Sequence, residues 1–171
     1  MSVTNLAKRR GEILDEIMTH HRERLPRLMT EVREKRGLTY GIGTSLASYD
    51  HAQSILGQFQ ASNANVGPAI KVIREQWAKI AAEGVTEEEL ANAKTYMTGA
   101  YPLRFDGNGT IASILVGMQI MDLSPDYPKT RNARVEAVTM ADIKRVAAEL
   151  FTPDQLGFVV VGQPEGVESQ D

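Results

Sequence analysis

The stretch from Leu28 to Gly43, LMTEVREKRGLTYGIG, constrains the fold more than any other part of the chain. Leu25, Leu28, Met29 and Val32 recur at helical spacing, which gives that segment one apolar face. Gly37 stands where a helix can end in the left-handed conformation, and Leu38 can fold back on the last turn. Leu38, Tyr40, Ile42, Thr44 and Leu46 then alternate with smaller residues, the period of a strand. A helix and a strand joined by so little chain must reverse direction sharply. Arg33 and Tyr40 flank that reversal, so a cation and a phenol can converge there on one ligand.

The same patterns extend along the chain. A thin apolar stripe of Leu6, Ile13, Leu14 and Ile17 predicts a helix over residues 5–19, and Pro26 opens the next helix, which runs to Arg36. Strands are expected near Thr39–Ala47 and Ser54–Ala61, joined as a hairpin through Ser48, Tyr49, Asp50 and His51. Pro68 is read as the start of a helix with Ile70, Ile73, Trp77 and Ile80 on one face, closed by Gly84. Thr86 with Glu89 forms a capping box for a helix reaching about Ala100. An apolar helix is expected near Thr110–Met121, with Met118, Ile120 and Met121 in the core. Pro125 and Pro128 break the chain, and Thr139 with Asp142 caps a last helix. Leu156–Val161 reads as a buried strand stopped by Gly162, and the polar tail after Pro164 as disordered. Without regular βαβ alternation, this order predicts an α+β fold: an antiparallel sheet covered on one face by helices.

A chain of 171 residues suffices for one domain core. No apolar run is long enough to span a membrane, and the start lacks the pattern of a secretory signal. A soluble protein of the cytoplasm or periplasm is expected. The absence of cysteine removes disulfides, thiolate catalysis and cysteine-bound zinc. Residues 1–36 carry nine basic and six acidic side chains, the remainder ten and sixteen. The mixed signs and missing aromatics of the basic arm fit a solvated helix face and argue against nucleic acid.

Other motifs carry little. Gly41-x-Gly43 lacks a third glycine and follows a helix, unlike a dinucleotide loop. Asn108-Gly109-Thr110 reads as a turn, and Glu87, Glu88 and Glu89 suit a helix N-terminus. His20-His21-Arg22-Glu23-Arg24 approaches the His-x-x-Glu-His zinc motif, but Arg24 stands where the second histidine should be. An arginine cannot ligate and repels the cation, and Pro26 disfavours a continuous helix through the site. His51, alone in a hairpin turn, reads as structural or solvent-facing. No metal ligands are assigned.

The segment Arg27–Gly43 resembles the C-terminal, non-zinc half-domain of the insulinase/pitrilysin-type metallopeptidases, which carry the inverted zinc motif. Gly84-Val85-Thr86-Glu87-Glu88-Glu89-Leu90, Asp126-Tyr127, Val135-Glu136-Ala137-Val138-Thr139 and Val159-Val160-Val161-Gly162 follow in the same order. The resemblance covers about Leu25 to Gly162. It divides the chain into an atypical helical arm (1–24), an insulinase-like C-terminal-type domain (25–163) and a polar tail (164–171).

The resemblance implies that zinc belongs to a homologous half or subunit and that this chain binds no cofactor. It also implies that Arg33 and Tyr40, seven residues apart, contact a peptide substrate; alone they would read as a surface ion pair and a half-buried strand residue. The function implied is the non-catalytic half of a zinc peptidase, inactive by itself, which completes a substrate chamber. A structural or assembly subunit of the same fold is the alternative. The family half-domain opens with a strand, a helix and a glycine-rich turn that the first two dozen residues do not match. The chain is then a fragment of a longer peptidase or carries a substitute helix. Either way an exposed sheet edge, and with it a homo- or hetero-oligomer, is expected.

Overall fold

The computed structural model describes residues 26–48 and 53–168. The helix expected over residues 5–19, the near-motif at 20–24 and the hairpin turn with His51 lie outside them. Two compact units divide the described chain, one of residues 26–84 with 144–168, the other of residues 85–143.

In the first unit, helix α1 opens as Pro26–Leu28 and continues in π-helical form over Met29–Glu34. The Lys35 amide donates to the Thr30 carbonyl at 2.9 Å, the wider bond of that form. Gly37 then turns left-handed at φ +60°. Its amide donates to the Arg33 carbonyl at 2.8 Å, and that of Leu38 to the Val32 carbonyl at 3.0 Å, so the helix end is satisfied by its own turn. Leu38 folds back on the cluster formed by Leu28, Val32, Ile42, Ala69, Val72 and Ile73.

Strands β1 (Gly41–Ser48) and β2 (Gln53–Gln60) pair antiparallel without a bulge, from Gly41 opposite Gln60 to Ser48 opposite Gln53. One face carries Ile42 opposite Phe59 and Thr44 opposite Gly57. Ile42 and Phe59 pack with residues of α1 and of helix α2 (Asn63–Glu83). The other face presents Gly41 opposite Gln60, Gly43 opposite Gln58 and Ser45 opposite Leu56, small or polar except for Leu56. This is the expected α+β arrangement, with helices on one face of an antiparallel sheet.

Helix α2 buries Val66, Ala69, Val72, Ile73, Trp77 and Ile80. It begins at Asn63, ahead of Pro68, which lies inside it. Pro68 has no N–H to give the Ala64 carbonyl, but Gly67 before it has no Cβ to strike the proline ring. A Cβ at Gly67 would also lie 2.8 Å from the Glu165 carbonyl oxygen and 2.9 Å from that of Gly166. The Glu165 amide donates to the Asn63 carbonyl at 3.0 Å. The start of the polar tail is therefore laid against α2, where disorder was expected. Farther along α2, Trp77 and Ile80 pack with Ala147 and Phe151, and the Trp77 and Phe151 ring centroids lie 4.6 Å apart.

Leu156–Val161 is not a strand. Leu156 and Phe158 pack on the core, but Val159 and Val161 are 97% and 96% exposed. The run of β-branched residues records a fit to a sheet, and a strand forms only where a neighbour accepts its bonds. Among the described residues the sheet consists of β1 and β2, and this segment is not paired into it.

The second unit is helical: α3 (Glu87–Ala100), a 3₁₀ turn (Pro102–Arg104), α4 (Asn108–Ile120), α5 (Tyr127–Glu136) and the start of α6 (Met140–Leu150). Both capping boxes form. The Glu89 amide donates to the Thr86 hydroxyl at 3.1 Å and the Thr86 amide to the Glu89 carboxylate at 2.7 Å. Thr139 and Asp142 make the same exchange at 3.2 and 3.0 Å. Pro128 does not break the chain; it sits in the first turn of α5, where the missing N–H costs nothing. Buried Arg131 of α5 lies 4.2 Å from the centre of the Tyr101 ring and donates to the Met97 carbonyl at 3.1 Å. Met118 is buried as expected, but Ile120 is 80% exposed and Met121 also faces outward. A helix apolar on all sides can bury only the side that meets a neighbour.

Candidate functional site

The reversal between α1 and β1 sets Arg33 and Tyr40 side by side. Arg33 projects from the last turn of the π-helical segment, and Tyr40 immediately precedes β1. The Arg33 guanidinium carbon lies 5.5 Å from the centre of the Tyr40 ring, within cation–π range. Tyr40 is 86% exposed, which corrects its reading as half-buried, and Arg33 is exposed as well. The nearby carboxylate does not quench this cation. Glu31 instead pairs with Lys35 and Arg36, each at 2.6 Å. Those bonds, Lys35 first, hold the Glu31 carboxyl below its ordinary range. Among the described residues Arg33 has no ion pair, so its guanidinium donors remain available to a ligand.

Thr39 was not legible as part of this site. Its side chain is buried, and its hydroxyl lies 2.6 Å from the Gln60 carbonyl oxygen and 2.8 Å from that of Gly41. It also accepts from the Gly41 amide at 3.2 Å. The hydroxyl thus ties the chain before Tyr40 to the chain after it and to the end of β2. A polar residue at the start of an alternating strand reads as an ordinary strand position; its place between the Gly37 turn and Gly41 was the available signal. Replacing Thr39 with valine keeps the shape and strands these carbonyls. Thr39→Val is expected to lower stability by about 1–2 kcal/mol in urea unfolding, with the fold retained.

A cleft of about 320 Å³ opens beside Tyr40 at the end of the hairpin away from its turn. Its walls include Thr39, Tyr40, Gln60, Ser62 and Asn65, and no charged residue is among those described. The exposed guanidinium, the phenol and the cleft can hold a polar backbone group of an extended ligand. They contain no group able to activate a water. Among the described residues no three His, Asp or Glu side chains are grouped to hold a metal ion.

The sequence profile of the Peptidase M16 inactive domain matches residues 10–97, and the chain belongs to that family. It is 24% identical over 126 residues to an uncharacterized zinc protease of Streptomyces coelicolor, covering 73% of this chain and 27% of that protein. It is 27% identical over 138 residues to the uncharacterized zinc protease YmxG of Bacillus subtilis, covering 75% and 31%. The crystal structure of a peptidase M16 inactive domain from Pseudomonas fluorescens superposes with a TM-score of 0.66 at 26% identity, over 75% of this chain and 31% of that one. The chain therefore spans less than a third of each of these relatives. No described helix is long and apolar enough to cross a membrane.

Proposed function

We propose that this chain is the non-catalytic half of a zinc peptidase, and that it completes a substrate chamber with a zinc-bearing homologous half. Arg33 and Tyr40 hydrogen-bond the carbonyl of the scissile peptide as negative charge develops on its oxygen. The observation that carries this reading is the exposed, adjacent placement of these two donors at the helix–strand reversal of an M16 inactive domain. The zinc-protease relatives support it. Among the described residues no three His, Asp or Glu side chains are grouped to hold a metal ion, and on this reading the other half activates the water.

The test is reconstitution. The purified chain is expected to hold no stoichiometric zinc and to cleave no peptide. Combined with a homologous half carrying His-x-x-Glu-His, it should give zinc-dependent cleavage that neither part has alone. One tightly held zinc per isolated chain, by metal analysis, would overturn the assignment. Assembly without any gain in cleavage would favour the structural-subunit reading.

A further inference from the structure

We propose that Glu31 and Arg36 are positioning residues, whose contact locks the wide turn of α1 that sets Arg33 beside Tyr40. In an α-helix the Lys35 amide would donate to the Glu31 carbonyl. Here it reaches one residue farther back, to the Thr30 carbonyl at 2.9 Å. The Arg36 side chain serves the Glu31 carbonyl instead. Its Nη1 donates to that carbonyl and to Oε2 of the Glu31 carboxylate, each at 2.6 Å. The Lys35 ammonium donates to the other carboxylate oxygen, also at 2.6 Å. Three charge-assisted bonds therefore converge on Glu31, whose side chain is only 18% exposed.

What the lock controls is direction. Leu28 and Val32 are buried, so the core holds one side of the turn. The Gly37 amide, bonded to the Arg33 carbonyl at 2.8 Å, holds the other. Arg33 lies between them, and its bearing depends on how many residues the turn contains. A return to α-helical bonding would swing it by about a quarter turn relative to Leu28. That rotation carries its guanidinium away from the Tyr40 ring, whose centre now lies 5.5 Å from it. The other carboxylate of the turn, Glu34, accepts from the Thr30 hydroxyl at 3.2 Å. Both carboxylates are thus engaged with partners other than Arg33. An exposed ion pair adds little stability, so the effect of this one is geometric. The structural half of the inference stands on these contacts alone; its effect on turnover rests on the peptide-binding role given to Arg33 and Tyr40.

NMR of the whole chain tests the structural half. The Tyr40 ring current shifts the Arg33 Nε–H and δ-proton signals, and Tyr40→Leu gives their positions without the ring. Arg36→Met keeps the stem and removes the donors; Glu31→Ala removes the carboxylate. Each is expected to move the Arg33 signals most of the way to their Tyr40→Leu positions, while far-UV circular dichroism and the urea midpoint change little. Glu31→Gln, which keeps an acceptor oxygen, should retain part of the ring shift. In the reconstituted peptidase Arg36→Met should lower kcat about tenfold with little change in KM. Added to Arg33→Ala it should cost nothing further, because it acts through Arg33. Arg33 signals unmoved by both Arg36→Met and Glu31→Ala would overturn the proposal. So would a loss of turnover that persists in the Arg33→Ala background, or signal changes spread evenly through the first unit. If no reconstituted pair cleaves peptide, the peptidase reading falls, and the Arg33 ring shifts still decide the lock.

Discussion

Trp77→Ala is expected to cost about 3–5 kcal/mol, the largest loss of stability from any single truncation in the first unit. Trp77 is buried on α2 and meets Ile80, Ala147 and Phe151, with Ile55 and Leu156 packed on the same cluster. Its ring lies 4.6 Å from that of Phe151 at 54°, a tilted contact that adds to simple area burial. Removing the indole leaves a cavity that β2 and α6 cannot both close, because each is fixed by its own backbone bonds. A loss of that size is a large part of the ~5–15 kcal/mol that holds a domain together. Trp77 is the only tryptophan, so unfolding must be followed by far-UV circular dichroism. The midpoint in urea should fall with the slope unchanged. Trp77→Phe, which keeps most of the volume, should lose much less. A loss below about 1 kcal/mol for the alanine variant would show that this seam is not core.

Features specified by a few neighbouring residues were legible from the sequence. The Gly37 stop, the return of Leu38 and both Thr capping boxes need only local chain, and all are present. The proline readings were less secure, because a proline can begin a helix, sit in its first turns or break it. Pro68 follows a glycine that relieves the clash, and Pro128 occupies a first turn. Features that depend on a neighbour from elsewhere were not legible. Val159-Val160-Val161 has strand composition but is not paired into the described sheet, and the apolar residues of α4 exceed the surface available to bury them. At the candidate site, the spacing of Arg33 and Tyr40 could be read directly, and their contact follows from the reversal between them. Thr39 escaped notice because its role lies in a bond to Gln60, a residue 21 positions away.

Arg33→Ala is expected to lower turnover of the reconstituted peptidase about a hundredfold without preventing assembly. The argument rests on where charge develops. A peptide carbonyl is neutral when bound and becomes an oxyanion as the bond is attacked, so a fixed cationic donor gains most of its value in the transition state. A hundredfold corresponds to about 2.7 kcal/mol. Because the gain is specific to that state, kcat should fall with little change in KM. Tyr40→Phe keeps the ring that supports the guanidinium and removes only the hydroxyl. Its effect should therefore be smaller than that of Tyr40→Ala, which also frees Arg33 from its 5.5 Å contact. Arg33→Lys should not restore full activity, because an ammonium lacks the planar fork and stacks less well on the ring. The double variant Arg33→Ala, Tyr40→Phe should lose less than the product of the single effects if both groups hold one oxygen. Normal turnover in Arg33→Ala, with assembly intact, would remove this pair from the chemistry and leave the chain a structural part of its complex.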